Sequence, residues 1–153
     1  GCASSPGNGI FLLPAGESVP QKLDENKAYE VAWMPESRVF NAYPEALFSA
    51  DGSIRYDPPV YEASYLPAIS AQGYQAWYVI QDRKGRVVVN NGDGEWKTVI
   101  EGHASQLLWD PLEGKTLIIA MEDGGLYAAT FPDFVPIKTG SLDGKVNQAV
   151  WGW

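Results

Sequence analysis

Residues 102–130 read GHASQLLWDPLEGKTLIIAMEDGGLYAAT. Two apolar segments, 105–109 and 116–121, flank a polar turn, and an acidic Gly-Gly turn then precedes a third segment at 126–130. Short apolar segments separated by Asp and Gly turns are typical of antiparallel β-hairpins. The stretch therefore predicts three consecutive antiparallel strands, and it also contains the only histidine of the chain, His103.

The rest of the chain repeats this pattern of short strands and turns. Its 16 Gly, 11 Pro, six Trp, eight Tyr and five Phe favour strands and tight turns over helices. No segment keeps a 3.6-residue apolar period, so the fold class is predicted to be all-β. We predict strands at Ile10–Pro14, Val19–Leu23, Tyr29–Met34, Arg38–Tyr43, Ala46–Ser49, Ile54–Tyr56, Gln75–Gln81, Arg86–Asn90, Trp96–Ile100, Ser105–Trp109, Thr116–Met121, Leu126–Thr130, Val135–Lys138 and Val146–Trp151.

Hairpin corners are marked by residues that tolerate a positive φ. Acids beside the turn glycines accept backbone N–H bonds in such turns, which is the simplest role for Asp51, Asp93, Glu113, Asp123 and Asp143. The predicted corners are SADG at 49–52, DRKG at 82–85, NNGDGE at 90–95, MEDGG at 121–125 and SLDGK at 141–145.

Four tryptophans recur at similar intervals along the chain. Three lie in segments that share a polar pair, two apolar residues and a tryptophan, YEVAWMP, SQLLWDP and NQAVWGW, and GYQAWYV is a weaker copy. The four tryptophans are spaced by 44, 32 and 42 residues. These spacings are close to the length of one four-stranded propeller blade. Small sheets that cannot bury both faces alone stack around an axis. The recurring positions are Trp33, Trp77, Trp109 and Trp151.

The stretch 102–130 resembles a WD-type propeller repeat. Gly102-His103 opens the unit, WDPLEGKTL occupies the turn between the first and second strands, and AMEDGGLYAAT matches the next hairpin. Leu112–Lys115 is also similar to the SPDGK turn of the TolB-like propellers of bacterial envelopes. One difference is that Trp109-Asp110 lies early in the repeat, whereas the Trp-Asp of the family closes the third strand, where this chain has Ala128-Ala129.

The resemblance is strong over 102–151, moderate over 29–57 and weak between them. It implies a propeller-like stack of short antiparallel four-stranded sheets, with three full blades plus one shared or partial blade. With 153 residues, the chain is expected to form one such domain over 10–153 after a flexible tether at 1–9. Three arrangements stay open: a four-bladed ring closed by the terminal strands, a half-ring that closes as a homodimer, and a fragment of a longer protein.

The amino-terminal GCASSPGNG resembles the mature end of a bacterial lipoprotein, in which such a cysteine carries the lipid. Cys2 is therefore a lipidation candidate, the alternative being an incidental cysteine. The formal net charge of −8 disfavours nucleic acid as a partner and anionic lipid headgroups as a surface. Membrane contact is expected only through a lipid on Cys2, and the expected location is the cell envelope, periplasmic or extracellular.

Catalytic motifs are missing from the sequence. It contains no G-x-S-x-G nucleophile elbow, no H-E-x-x-H and no Gly-rich phosphate loop. His103 would either activate a serine such as Ser105 or, as we favour, hydrogen-bond a neighbouring blade. NNGDGE loosely resembles a calcium loop but lacks its downstream bidentate acid, so a plain turn is favoured. We predict no catalytic residues, no cofactor and no metal.

Aromatic residues outside the tryptophan repeat carry the binding hypothesis, because Trp and Tyr dominate the energies of binding interfaces. YDPPVYEASYLP, at 56–67, is interpreted as a long inter-strand loop, whose tyrosines would either bind or merely cover a blade edge. We expect a non-enzymatic binding or assembly module that recognises a protein, or secondarily a glycan, through loops at one mouth of the propeller. The alternative is a carbohydrate-active hydrolase using an Asp/Glu pair. The candidate binding residues are Tyr56, Tyr61, Tyr65, Tyr78 and Trp96.

Overall fold

The computed structural model describes residues 9–25, 30–34, 39–43, 46–49 and 51–142, and for 30–34, 39–43 and 46 it describes the backbone. The described residues are all-β. They form no helix long and apolar enough to cross a membrane. The strands are β1 (Ile10–Leu12), β2 (Gln21–Asp24), β3 (Glu30–Met34), β4 (Val39–Tyr43), β5 (Ala46–Ser49), β6 (Arg55–Tyr56), β7 (Ala63–Ile69), β8 (Gln75–Gln81), β9 (Lys84–Asn90), β10 (Lys97–Glu101), β11 (Ala104–Trp109), β12 (Thr116–Met121), β13 (Gly125–Thr130) and β14 (Val135–Ser141).

The strands form four small antiparallel sheets, as the fold class predicted. One is the β1–β2 pair, and the others are four-stranded meanders: β3–β6, β7–β10 and β11–β14. Each predicted strand within the described residues is present, within a few residues at its ends. The predicted strand Val146–Trp151, the turn residues 143–145 and the tether residues 1–8 lie outside the described residues. The propeller arrangement of these sheets stays a prediction.

The chain divides into two compact units, Gly1–Pro58 and Pro59–Trp153. In the first unit Ile10 and Phe48 are buried, with Leu12 and Leu23 packed against them. The buried Asp24 carboxylate of β2 pairs with Arg55 of β6.

The second unit consists of the β7–β10 and β11–β14 sheets packed face to face. Their shared core includes Val87, Val89, Leu117 and Ile119. The buried indole of Trp109 on β11 donates a hydrogen bond of 3.1 Å to the Ala68 carbonyl on β7, so the first strands of the two sheets adjoin. Trp109 is therefore part of the core, and Trp77 is also buried.

The interpretation of 56–67 as one long loop is wrong in its second half, because β7 begins at Ala63. Pro67 lies within β7, although proline cannot donate a hydrogen bond to a β-ladder. β7 is an edge strand, however, and its pairing with β8 shifts register between Tyr65 and Ala68. Leu66 has a φ of 49° at this irregularity. A bulge on an edge strand accommodates the proline without losing an interior hydrogen bond.

Two turns show how local sequence sets the hairpins. Asp82 and Arg83 have φ values of 51° and 61°, the left-handed pair that a tight two-residue hairpin requires. At the β5–β6 turn, Asp51 accepts hydrogen bonds from the Ser49 hydroxyl and from the backbone N–H and hydroxyl of Ser53. The Ser49 hydroxyl, followed by the Ser53 donors, lowers the pKa of Asp51 to about 2. The predicted turn role of Asp51 is confirmed.

Candidate functional site

A cleft of about 280 Å³ lies at one end of the second unit, between the β9–β10 loop and the β13–β14 turn. We call it the Trp96 cleft. Apolar, aromatic and charged side chains all contribute to its walls. Its lining residues are Val89, Asn91, Asp93, Glu95, Trp96, Lys97, Pro132 and Phe134.

The β9–β10 loop is folded by its own side chains. Asn90 accepts a hydrogen bond of 2.7 Å from the Gly92 N–H, and Asp93 accepts one of 2.9 Å from the Glu95 N–H. Gly92 and Gly94 have φ values of 96° and 88°, which favour glycine. The segment NNGDGE is thus a turn held by its own hydrogen bonds, and it places Trp96 at the cleft.

Four aromatic rings continue from the wall of the cleft into the core. Phe131 stacks on Tyr74 with ring centroids 5.1 Å apart and planes 14° apart. Phe134, which lines the cleft, packs edge-on against Phe131, Tyr74 and Trp109. Phe131 is 36% exposed, whereas Phe134 is buried at 3%. Phe134 is therefore held in place by the core at the wall of the cleft, and the partly exposed ring of Phe131 lies beside it.

Charge in the Trp96 cleft comes from two carboxylates and one ammonium group. The Lys97 ammonium group donates a hydrogen bond to the backbone carbonyl of Asp133. Among the described residues, no ion pair joins Lys97, or any other Lys or Arg, to Asp93 or Glu95. The cleft therefore presents two carboxylates without a cationic partner in the described part of the chain.

A second cleft, of about 450 Å³, lies at the opposite strand ends of the same unit, beside His103, Met121, Glu122 and Tyr127. There the Tyr78 hydroxyl and His103 Nδ1 are 2.6 Å apart. Burial first, and then the negative charge of Glu122 and the proximity of Tyr65, raise the pKa of Tyr78.

His103 has the structural role that we favoured, because its ring is bonded to the neighbouring sheet through Tyr78. The Ser105 hydroxyl donates instead to the Ala120 carbonyl at 3.2 Å. The geometry therefore gives no sign of a histidine that activates this serine.

We expect Tyr78→Phe to lower the free energy of unfolding by about 1 kcal/mol, the usual net value of one hydrogen bond. The variant keeps the buried ring but removes the hydroxyl that meets His103. Guanidinium unfolding followed by tryptophan fluorescence measures the loss. Tyr65→Phe, at an exposed tyrosine, is the control; an equal loss in both variants would contradict a specific role for the Tyr78–His103 bond.

The structure separates the candidate binding residues. Tyr65 and Tyr78 are cross-strand partners with ring centroids 6.2 Å apart. Tyr65 is 44% exposed, but Tyr78 is only 7% exposed. Tyr56 lies on β6 in the first unit, Tyr61 precedes β7, and Trp96 lines its own cleft. Cys2, the lipidation candidate, lies outside the described residues.

Phe134 and Lys97, which line the cleft with Trp96, were not predicted from the sequence, and neither were Tyr74 and Phe131, which pack against Phe134. The signal available was the segment FPDF at 131–134, in which two aromatics flank a Pro-Asp turn. The sequence also predicted that Glu113 accepts the backbone N–H bonds of the β11–β12 turn. That role belongs to Asp110, while the Glu113 carboxylate lies 3.6 Å from the Lys115 ammonium.

The pKa values of two turn carboxyl groups, Asp51 and Asp110, are both lowered, which is opposite to the raised pKa that a general acid needs. No group of three or more His, Cys, Asp or Glu side chains in the described ranges is arranged to hold a metal ion. Comparison of the chain with protein-family models, curated proteins and solved structures finds no match.

Proposed function

We propose that this chain is a non-enzymatic binding module of the bacterial cell envelope that recognises a protein partner. The recognition surface is the end of the second unit that carries the Trp96 cleft. The proposal rests on one observation. The cleft combines a tryptophan with a buried phenylalanine and with two carboxylates that form no ion pair within the described residues. Aromatic residues anchored beside a polar rim are the usual composition of an interface hot spot.

The packing of Phe134 at the wall of the cleft supports recognition by a preformed surface. Phe134 is buried and held by Tyr74 and Trp109, so little conformational entropy is lost when a ligand contacts it. Phe131 extends the aromatic surface beyond the cleft and is partly exposed. A partner that covers the Trp96 cleft and Phe131 would bury aromatic surface at two places beside the β13–β14 turn.

We further propose a propeller-like arrangement of the four small sheets. The support comes from the second unit, where two meanders of the same strand order pack face to face. Their first strands adjoin through Trp109 and Ala68, and Lys97 at the start of β10 reaches the β13–β14 turn. Neighbouring blades of a propeller need this stacking. In such an arrangement the Trp96 cleft lies between two adjacent blades.

A peptide selection tests the proposed function. The immobilised chain is panned against a random dodecapeptide library, and enriched peptides are synthesised and titrated by calorimetry. We expect Trp96→Ala to weaken binding of the enriched peptides by about tenfold or more, because truncation of a central aromatic removes 1–2 kcal/mol or more. Trp96→Phe keeps a ring and should retain most of the affinity.

Val60→Ala is the control for surface truncation, because Val60 is fully exposed and lies outside the cleft. Peptides that bind the wild type and Trp96→Ala equally would overturn the proposed surface. Binding to an immobilised glycan array without peptide binding would replace the protein partner by the glycan. Turnover of a chromogenic glycoside that is lost on single Asp or Glu substitutions would replace the binding module by the alternative hydrolase.

A further inference from the structure

We propose that the Trp96 cleft takes a basic side chain, a lysine or an arginine, of the partner protein. This inference rests on the proposed function and names the chemistry of its ligand. Three features of the cleft carry it: its charge, its aromatic wall and its size.

The charge of the cleft favours a cation. Asp93 and Glu95 contribute two carboxylates, and Lys97 contributes one ammonium that is bonded to the Asp133 carbonyl. Within the described part of the chain neither carboxylate forms an ion pair. The whole protein carries a formal net charge of −8, so its long-range field also attracts cations.

Charge distinguishes a cation from a sugar in this cleft. A sugar hydroxyl can donate to a carboxylate, but it carries no charge to compensate that of the carboxylate. Carboxylates only accept, and the Lys97 donor is directed at Asp133. With its NH₂ group facing Asp93, the Asn91 amide donates hydrogen bonds to both carboxylate oxygens of Asp93, at 2.9 and 2.7 Å. The charged acceptors that remain match the N–H donors of a lysine or an arginine.

The aromatic wall and the volume fit a single long side chain. Indole faces attract ammonium and guanidinium groups, and the apolar stem of either side chain packs on rings. The cleft of about 280 Å³ lies at the lower end of the range of about 300–1,000 Å³ typical of small-molecule pockets. It therefore has room for a side chain that projects from a partner.

Two capped peptides that differ in one charge test this inference. Acetyl-Gly-Arg-Gly-amide and its citrulline analogue have nearly the same shape, but only the first is cationic. Binding is followed through the ¹⁵N indole resonance of Trp96, which is assigned by its loss in Trp96→Phe. We expect the arginine peptide to bind about tenfold more tightly than the citrulline peptide and to weaken as salt is raised.

Substitutions in the cleft give opposite expected signs. Lys97→Met removes the competing cation and should tighten binding of the arginine peptide about threefold, whereas Asp93→Asn/Glu95→Gln should weaken it about tenfold. Glu62→Gln/Glu101→Gln removes the same charge outside the Trp96 cleft and should change affinity less than twofold if screened charges contribute little.

Three results would overturn the inference: equal binding of both peptides, a shift of the Trp96 resonance by methyl glucoside but by neither peptide, or weaker binding in Lys97→Met. Failure here is distinguishable from failure of the proposed function. If selected dodecapeptides depend on Trp96 but contain no required Lys or Arg, only the basic-side-chain inference fails. If no selected peptide depends on Trp96, both fail.

Discussion

Gly85→Ala is expected to lower the free energy of unfolding of the second unit by about 2–4 kcal/mol, combining overpacking with a lost hydrogen bond. A Cβ at Gly85 would lie 2.5 Å from the Tyr78 hydroxyl oxygen and 2.7 Å from the Gly102 carbonyl oxygen. The Gly102 N–H also donates to the Gly85 carbonyl at 2.9 Å, so the two backbones are held together. The added methyl group must displace backbone as well as the Tyr78–His103 contact.

Guanidinium unfolding of Gly85→Ala, with Gly140→Ala as the matched control, measures this effect. A Cβ at Gly140 meets Leu126 at 3.7 Å, which is ordinary contact, so that variant should retain wild-type stability within about 0.5 kcal/mol. Gly85→Ala combined with Tyr78→Phe should recover part of the loss, because the phenylalanine has no hydroxyl to collide with the methyl group. Wild-type stability of Gly85→Ala would show that the contact between β9 and the β10–β11 loop is not tight.

Most strand positions could be predicted from sequence because a local pattern fixes them. DRKG at 82–85 requires positive φ at its corner, and Asp82 and Arg83 have it. Apolar segments on either side of such a turn have only one pairing that buries them, since a one-residue slip would turn every side chain to the other face. The β8 and β12 strands therefore have the bounds that were predicted.

β7 could not be predicted because its formation depends on its position in the sheet. Pro67 is incompatible with an interior strand but is tolerated at an edge with a bulge. The sequence does not say which strand will be the edge. The interleaved tyrosines and prolines of 56–67 therefore predict a loop where an edge position allows a strand.

Only part of the candidate site could be predicted, because the rest depends on how the two sheets pack and not on local sequence. Trp96 was chosen because it lies outside the tryptophan repeat, and the structure places it in a cleft. Phe134 joins it, with Phe131 packed against Phe134, only because the β11–β14 sheet packs on the β7–β10 sheet, a contact across more than 30 residues. Tyr56, by contrast, was grouped with Tyr61 and Tyr65 by sequence proximity, but it belongs to the first unit.

The stretch that defines the fold also contains the second large expected effect. Asp110→Ala should lower the free energy of unfolding by about 3 kcal/mol, since bonds to a charged acceptor are worth about 1.5–3 kcal/mol each and are not additive. The Asp110 carboxylate accepts hydrogen bonds of 2.6–3.1 Å from four backbone N–H groups of the β11–β12 turn. These belong to Glu113, Gly114, Lys115 and Thr116.

Acid should remove the same contribution. Burial raises the pKa of Asp110, but the four N–H donors outweigh burial and hold that pKa below its ordinary value of 3.8. A carboxyl group with a lowered folded pKa stabilises the fold fully above its ordinary pKa and loses this contribution as the pH falls through the folded value. The difference in stability between wild type and Asp110→Ala should therefore be constant near neutral pH and shrink below about pH 4.

Asp110→Asn separates the charge of this side chain from its shape. Asparagine keeps one acceptor oxygen and should retain about half of the stabilisation, whereas Glu113→Ala, which leaves the Asp110 bonds intact, should cost less than about 0.5 kcal/mol. Thermal unfolding at several pH values would measure all three variants. If Glu113→Ala were as damaging as Asp110→Ala, the turn would depend on the Glu113–Lys115 pair, and the Trp109-Asp110 dipeptide would have no special role in closing this hairpin.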